Sequence, residues 1–286
     1  MAVFQPITLL LICLLVNLSE CRATDHNVLR VMTFNIRYGT APDKQNAWPL
    51  RRDLLFKVVH DAASDIIGLQ EALRTQLDEL TREFPQYASL GVGREANGGG
   101  EYSAILYDSY RFDVRQADTF WLSAKPEESG SATWGNELPR VCTWARLFDL
   151  RTQQTICVLN THWDHQSQSA RECAGRLIHD RIARINHHFD EPIILLGDFN
   201  VGQQDVAWGP LLKAGLRDSL MDLYPSATNI GTFHAFRGEA EGAKIDAVLV
   251  SQHWQVEAAA INRTNLAGRY PSDHFPVTAA LSLQEH

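Results

Sequence analysis

Ile193-Ile-Leu-Leu-Gly-Asp-Phe-Asn200 runs apolar for five residues and then turns abruptly polar. Its apolar run is too short for a helix and reads as a buried strand over residues 193–197. The strand stops, and Asp198 and Asn200 follow at once. The same arrangement recurs outward in both directions. Toward the N-terminus, Val-Leu-Asn-Thr-His ends on His162, Ile-Ile-Gly-Leu-Gln-Glu on Glu71, and Val-Met-Thr-Phe-Asn on Asn35. Toward the C-terminus, Asp246 sits inside Lys-Ile-Asp-Ala-Val-Leu-Val, while Asp273 and His274 open Ser-Asp-His-Phe-Pro-Val.

Further strands are expected at 28–36, 65–70, 87–92, 102–107, 112–121, 245–251, 256–261 and 275–283. A hairpin is expected from 141–148 and 155–160. Helical spacing marks 48–62, 75–84, 169–189 and most of 211–223, and 123–139 reads as a polar loop. No repeat and no linker divides this series, so residues 24–286 form one domain. Many strands with intervening helices make an α/β protein of two packed sheets covered by helices.

Composition limits the alternatives. Of 286 residues, 45% are hydrophobic and 21% charged, which excludes a mostly disordered, collagen-like or coiled-coil chain. The net charge of -8 argues against a broad basic face for a nucleic-acid backbone. Five cysteines are too few for a disulfide scaffold. Residues 1–23 read as a secretory signal peptide, with an apolar run of 12 residues at 7–18 and cleavage after Ala23. A membrane span needs about 17–25 residues. A retained anchor and a lipid on Cys21 are the alternatives. The protein is therefore expected in a secreted or periplasmic location, as a monomer without stable membrane insertion. Cleavage leaves Cys142, Cys157 and Cys173, which read as small apolar side chains with no pairing implied. Asn262-Arg-Thr is a glycosylation sequon.

Taken singly, each polar strand end is ordinary, since carboxylates at strand ends usually serve turns and caps. Taken together, six strands carry residues that hold a hard cation or move protons. Convergent charges must be paired or must coordinate a metal. Oxygen donors from Asn35, Glu71, Asp198, Asn200 and Asp273 suit Mg²⁺ or Mn²⁺. No CxxC, HExxH, GxSxG or Walker lysine loop occurs. Histidines among acids suit acid-base work and charge stabilisation at a phosphoryl centre.

With Thr-Phe-Asn35, Gln-Glu71, Asn-Thr-His162, Gly-Asp198-Phe-Asn200, Ile-Asp246 and Ser-Asp273-His274 in this order, the chain resembles the endonuclease/exonuclease/phosphatase (DNase I-like) superfamily over residues 28–283. The layout is similar to a compact exported branch, nearer the carbon catabolite repressor-type deadenylases than DNase I. The resemblance implies a four-layer α-β-β-α sandwich of two mixed sheets flanked by helices, with the site at one end of the paired sheets. It also implies a divalent-metal-dependent phosphoesterase acting on phosphodiesters or phosphomonoesters. Glu71 would ligate the metal, with Asn35 near it and Asp273 completing the site. Asp198 would orient or deprotonate the attacking water, and Asn200 would hold a phosphate oxygen. His162 and His274 would bond the phosphoryl oxygens, with Asp246 fixing the His274 tautomer.

Substrate identity is less legible. Arg94, Glu101, Arg140, Asp164 and His165 are the substrate-binding candidates, with Arg269 a further arginine suited to phosphate. Trp48, Trp134 and Trp163 are aromatic candidates for stacking. A small phosphoester or an accessible nucleic-acid end is the expected partner. The alternatives are an exonuclease or endonuclease, a sphingomyelinase-like lipid phosphodiesterase, and a non-catalytic binding protein on the same fold.

Overall fold

The computed structural model describes residues 27–284, so the expected signal segment lies outside the described residues. The elements run β1 (Leu29–Asn35), α1 (Trp48–Ala62), β2 (Ile66–Ala72), α2 (Arg74–Glu83), β3 (Tyr87–Leu90), β4 (Tyr102–Asp108), β5 (Phe112–Trp121), β6 (Val141–Asp149) and β7 (Gln154–His162). Then follow α3 (Gln168–Phe189), β8 (Ile193–Asp198), α4 (Gly209–Lys213), β9 (Arg217–Asp218), α5 (Ser219–Leu223), β10 (Asp246–Val250), β11 (Trp254–Ile261) and β12 (Val277–Leu283).

They build two mixed six-stranded sheets, ordered β11-β12-β1-β2-β4-β3 and β5-β6-β7-β8-β10-β9. Each sheet has a parallel pair near its centre, β1 with β2 and β7 with β8, and the other pairings are antiparallel. The four central strands therefore all stop at one end of the sandwich.

Side-chain alternation makes the layers. Val31 of β1 joins Ile194 and Leu196 of β8 in the core between the sheets. Met32 and Phe34 turn the other way, against Leu55 and Val58 of α1. Ile193 and Leu195 turn outward against Ile178 and Ile182 of α3. Burial on both faces explains why these strands read as unbroken apolar runs. Each such side chain contributes roughly 1.5–3 kcal/mol of transfer free energy. Ser167 caps α3 by accepting from the Ala170 amide, and Ala174, Ile178, Ile182 and Ile185 form its buried stripe. Among the described residues, no helix is long and apolar enough to cross a membrane.

One polar link crosses the interior below the strand ends. Asn160 donates to the Leu69 and Ala104 carbonyls of the facing sheet, and its Oδ1 accepts from Gln70 Nε2 at 2.6 Å. Asn160 and Gln70 thus fix how the two sheets sit just beneath His162 and Glu71.

The segment 211–223, expected to be mostly helical, divides into α4, a two-residue strand and α5. Gly215 lies at φ +79, and Arg217 and Asp218 pair with β10. The last strand begins at Val277 rather than at residue 275. The hairpin places Cys142 opposite Thr161 and Cys157 opposite Arg146, and the three cysteines among the described residues are free.

Candidate active site

The register lines up the chemistry. Across one sheet, His162 pairs with Asp198, and Asp198 with Asp246. Across the other, Asn35 pairs with Gln70, next to Glu71. Glu71 sits at φ 59 where the β2–β4 register slips, and Asn200 follows β8 at φ 55. Such backbone costs of order 1–3 kcal/mol, and it aims these side chains into the cleft.

Asn35 bridges the two sheets. Its Nδ2 donates to Glu71 Oε1 at 3.1 Å and to Asp198 Oδ2 at 2.9 Å, while its Oδ1 accepts from the Arg37 amide. The Tyr38 amide donates to the other Glu71 oxygen. Asp198 Oδ1 accepts from the Asn200 amide, and Asn200 Nδ2 donates to the Trp163 carbonyl. His162 Nε2 and His274 Nε2 stand 3.5 and 3.8 Å from Asp198 Oδ2. His274 Nδ1 lies 2.9 Å from Asp246 Oδ2, as the expected pairing requires.

Burial and neighbours split the titrations. Burial pushes Asp198 up to about 7, helped by the Asp246 charge and opposed by His274. Burial would lower His274, but Asp246 and Asp198 outweigh it and raise it to about 10. Burial drives His162 well below its usual value, and Arg140 and Arg94 add to the effect. One histidine is thus neutral and the other cationic, the kind of divergence that separates acid-base roles.

Two groups of donors merit comparison as a cation site. Asp198, Asp246 and His274 bring ligand atoms within 4.8 Å of one another. A protonated His274, however, has no lone pair to offer. The second group surrounds Arg37. Its guanidinium meets Asp43 through two bonds of 3.0 Å, with Asp273 3.8 Å and Glu71 3.9 Å away. A positive charge among three carboxylates stands where a hard cation fits, and oxygen-only donors suit Mg²⁺ or Mn²⁺.

The cleft encloses about 790 Å³ and gathers Glu71, His162, Asp198, Asn200, Asp273 and His274 with Arg94, Glu101, Arg140 and His165. Asp246 stands behind His274. Asp164 caps the turn into α3, accepting from the Gln166 and Ser167 amides. Arg269 is exposed in a separate turn, and Trp48 and Trp163 are core residues rather than stacking platforms. Arg37, Tyr38 and Asp43 were not expected. Arg51 was also missed: it is buried and donates to the carbonyls of Ile36, Arg37, Asn46 and Pro271, which ties the Arg37 loop to the segment before Asp273. Arg37 follows Asn35 by two positions, the one sequence signal that could have drawn attention to it.

A two-sheet α/β sandwich with acids and histidines at its strand ends defines the class. The chain belongs to the Endonuclease/Exonuclease/phosphatase family, whose model matches residues 32–274. Members of this family are hydrolases that act on phosphoester bonds. An endonuclease/exonuclease/phosphatase family protein from Bacteroides thetaiotaomicron is 30% identical, covers 90% of this chain and 96% of its own, and superposes with a TM-score of 0.83. The mannosyl-6-phosphatase Bt3783 of the same organism is 30% identical over 89% of this chain and 100% of its own, with a TM-score of 0.82. The 3'-5'-exoribonuclease subunit Ccr4 of the Emericella nidulans CCR4-Not complex is 20% identical over 77% of this chain. This chain spans 43% of that relative's length.

Proposed function

We propose that the protein is a divalent-metal-dependent phosphoesterase that hydrolyses a small phosphoester. The observation that carries this reading is the convergence of Asp198, His162 and His274 within 4 Å, beside Asn35 and Glu71. A similar chain that is a mannosyl-6-phosphatase supports a small phosphorylated substrate. A Mg²⁺ or Mn²⁺ ion held through Glu71 and Asp273, with Asp43 beside them, would neutralise charge on the phosphoryl group.

The chain's own residues supply the rest. Asp198, held at one oxygen by Asn35 and at the other by the Asn200 amide, takes the proton of the attacking water. The water oxygen bonds to phosphorus as the ester P–O bond breaks, and the departing alkoxide takes a proton from solvent to leave as the alcohol. His274 meets the charge growing on the phosphoryl oxygens, and neutral His162 donates a hydrogen bond from the other side. Asn200 has a second amide hydrogen free of the Trp163 carbonyl for a phosphate oxygen.

Glu71→Gln keeps the shape and removes a charge. It is expected to cause a large loss of activity that is partly recovered at high metal, with little change in folding stability. Calorimetric Mn²⁺ binding should weaken in parallel. Full activity at ordinary Mg²⁺ would remove Glu71 from the cation site. Export belongs to the same reading and rests on residues 1–23 alone. Exported material is expected to begin near Thr24 on N-terminal sequencing, and a start at Met1 would contradict it.

A further inference from the structure

Arg140 is a buried cation that the catalytic scheme above does not use. It directly precedes β6, whose pairing of Cys142 with Thr161 brings Val141 level with His162, so Arg140 and His162 wall one corner on the side away from Asp198. Arg140 is 4% exposed, yet its Nε and Nη1 have no hydrogen-bond partner among the described residues. Only Nη2 is engaged, with His165 Nδ1 at 3.0 Å. The nearest carboxylate oxygen, Asp164 Oδ2, stands 3.6 Å from Nε, outside bonding geometry. The other Asp164 oxygen is committed to two backbone amides. Neighbouring Arg94 is matched by Glu101 at 2.7 Å, and Glu101, Asp164 and Asp198 favour the Arg140 charge only through space, without a hydrogen bond. Desolvating a guanidinium and leaving most of its donors unpaired is costly, and such sites call for an explanation.

The space beside it is small. Arg94, Arg140, Ser103 and His162, with the Glu101 carboxylate that Arg94 holds, help wall a corner of about 10 Å³ next to the main cleft. That is about the room needed by one water or one oxygen atom. The main cleft has the volume for the rest of a substrate, and Phe233, 47% exposed, and Phe236 line it.

We infer that Arg140, in this closed corner, holds the third terminal oxygen of a phosphomonoester dianion and so makes the protein select monoesters over diesters. This rests on the phosphoesterase reading and adds the substrate class to it. A monoester has three terminal oxygens and a diester has two. With His162 and His274 serving two oxygens, Asn200 and the cation sharing them, the third oxygen would enter the corner walled by Arg140 and His162. A monoester places charged oxygen there and completes the guanidinium's hydrogen bonds. A diester places a carbon-bearing oxygen there, which has no room for its chain and leaves the donors unmet.

The test compares kcat/KM for p-nitrophenyl phosphate and bis-p-nitrophenyl phosphate in the wild type, Arg140→Gln and Arg140→Lys. Calorimetric binding of inorganic phosphate is measured on the same proteins. The wild type is expected to prefer the monoester. Arg140→Gln should reduce the monoester-to-diester ratio by about 10- to 100-fold, the range for a hydrogen bond to a charged group. Phosphate affinity should fall in step, and Arg140→Lys, which keeps the charge without the fork, should recover part of both.

A wild type that prefers the diester overturns the inference whether or not either variant folds. So does a ratio unchanged in Arg140→Gln or, if that variant does not fold, in Arg140→Lys. Phosphate binding separates the two levels. Binding that depends on Arg140 without turnover of either ester would sink the hydrolase reading and leave the anion corner standing. Turnover with an unaltered ratio would do the reverse, and neither turnover nor phosphate binding would end both.

Discussion

His274→Ala is expected to lower kcat by at least ~10²-fold, the lower end for a well-placed charge-stabilising donor. His274 sits 2.9 Å from Asp246 through Nδ1, which leaves Nε2 to face Asp198 and the cleft. Asp246 is fully buried, and among the described residues its second oxygen has no hydrogen-bond partner, so its charge acts on the histidine. Removing Asp246 should cost a similar factor or less, because it acts through His274. The double variant should fall well short of the product of the two losses, since residues that act as a unit are not additive. Fully multiplicative losses, or near-normal turnover in His274→Ala, would end the coupled-pair account.

Asp198→Asn is expected to lower kcat by roughly 10²–10⁴-fold, the span associated with a general base. It keeps the size of the side chain but cannot take a proton. The sign of the pH dependence follows from two groups. Asp198 lies at about 7 and must be deprotonated, so kcat/KM should rise with pH through about 7. His274 lies at about 10 and must be protonated, so activity should fall as pH passes about 10. In Asp198→Asn the rising limb should vanish. The falling limb should also move to lower pH, because the Asp198 charge is one of the causes that raise His274. A rate profile with the same rising limb in wild type and variant would remove Asp198 as the base.

The same linkage acts on stability. Burial raises Asp198 above its unfolded value, so the folded state binds this proton more tightly. Its contribution is present at low pH and is lost as pH rises through about 7. His274, also raised, contributes stability that is complete below its ordinary value near 6.5 and is lost toward about 10. The site therefore costs the fold stability at alkaline pH from both groups.

The sequence carried the strands and their polar ends because burial on both faces writes unbroken apolar runs, as in Ile193–Asp198. It also carried the Asp246–His274 pairing, through the resemblance. It did not show how Glu71 and Asn200 are aimed, since positive φ at a non-glycine residue leaves no local signature. Arg37, Asp43 and Arg51 were missed for a different reason. They lie in or act on an irregular loop between β1 and α1, where no periodicity separates a functional arginine from a solvated one. Arg140 could be named as a candidate at the end of a polar loop, but only the structure shows that two of its guanidinium nitrogens lack a hydrogen bond among the described residues. The divided segment after Lys213 shows tertiary pairing with β10 overriding helical spacing across a glycine.

The most direct measurement is the release of p-nitrophenol from p-nitrophenyl phosphate and its bis-ester by the purified protein. It is run with Mg²⁺, with Mn²⁺, with EDTA, and with metal restored after chelation. Turnover is expected with either metal, to be lost in EDTA, to return when metal is added back, and to be nearly absent in Asp198→Asn. Turnover that persists undiminished in EDTA, or that is the same in Asp198→Asn as in wild type, would contradict metal-dependent hydrolysis with Asp198 as the base.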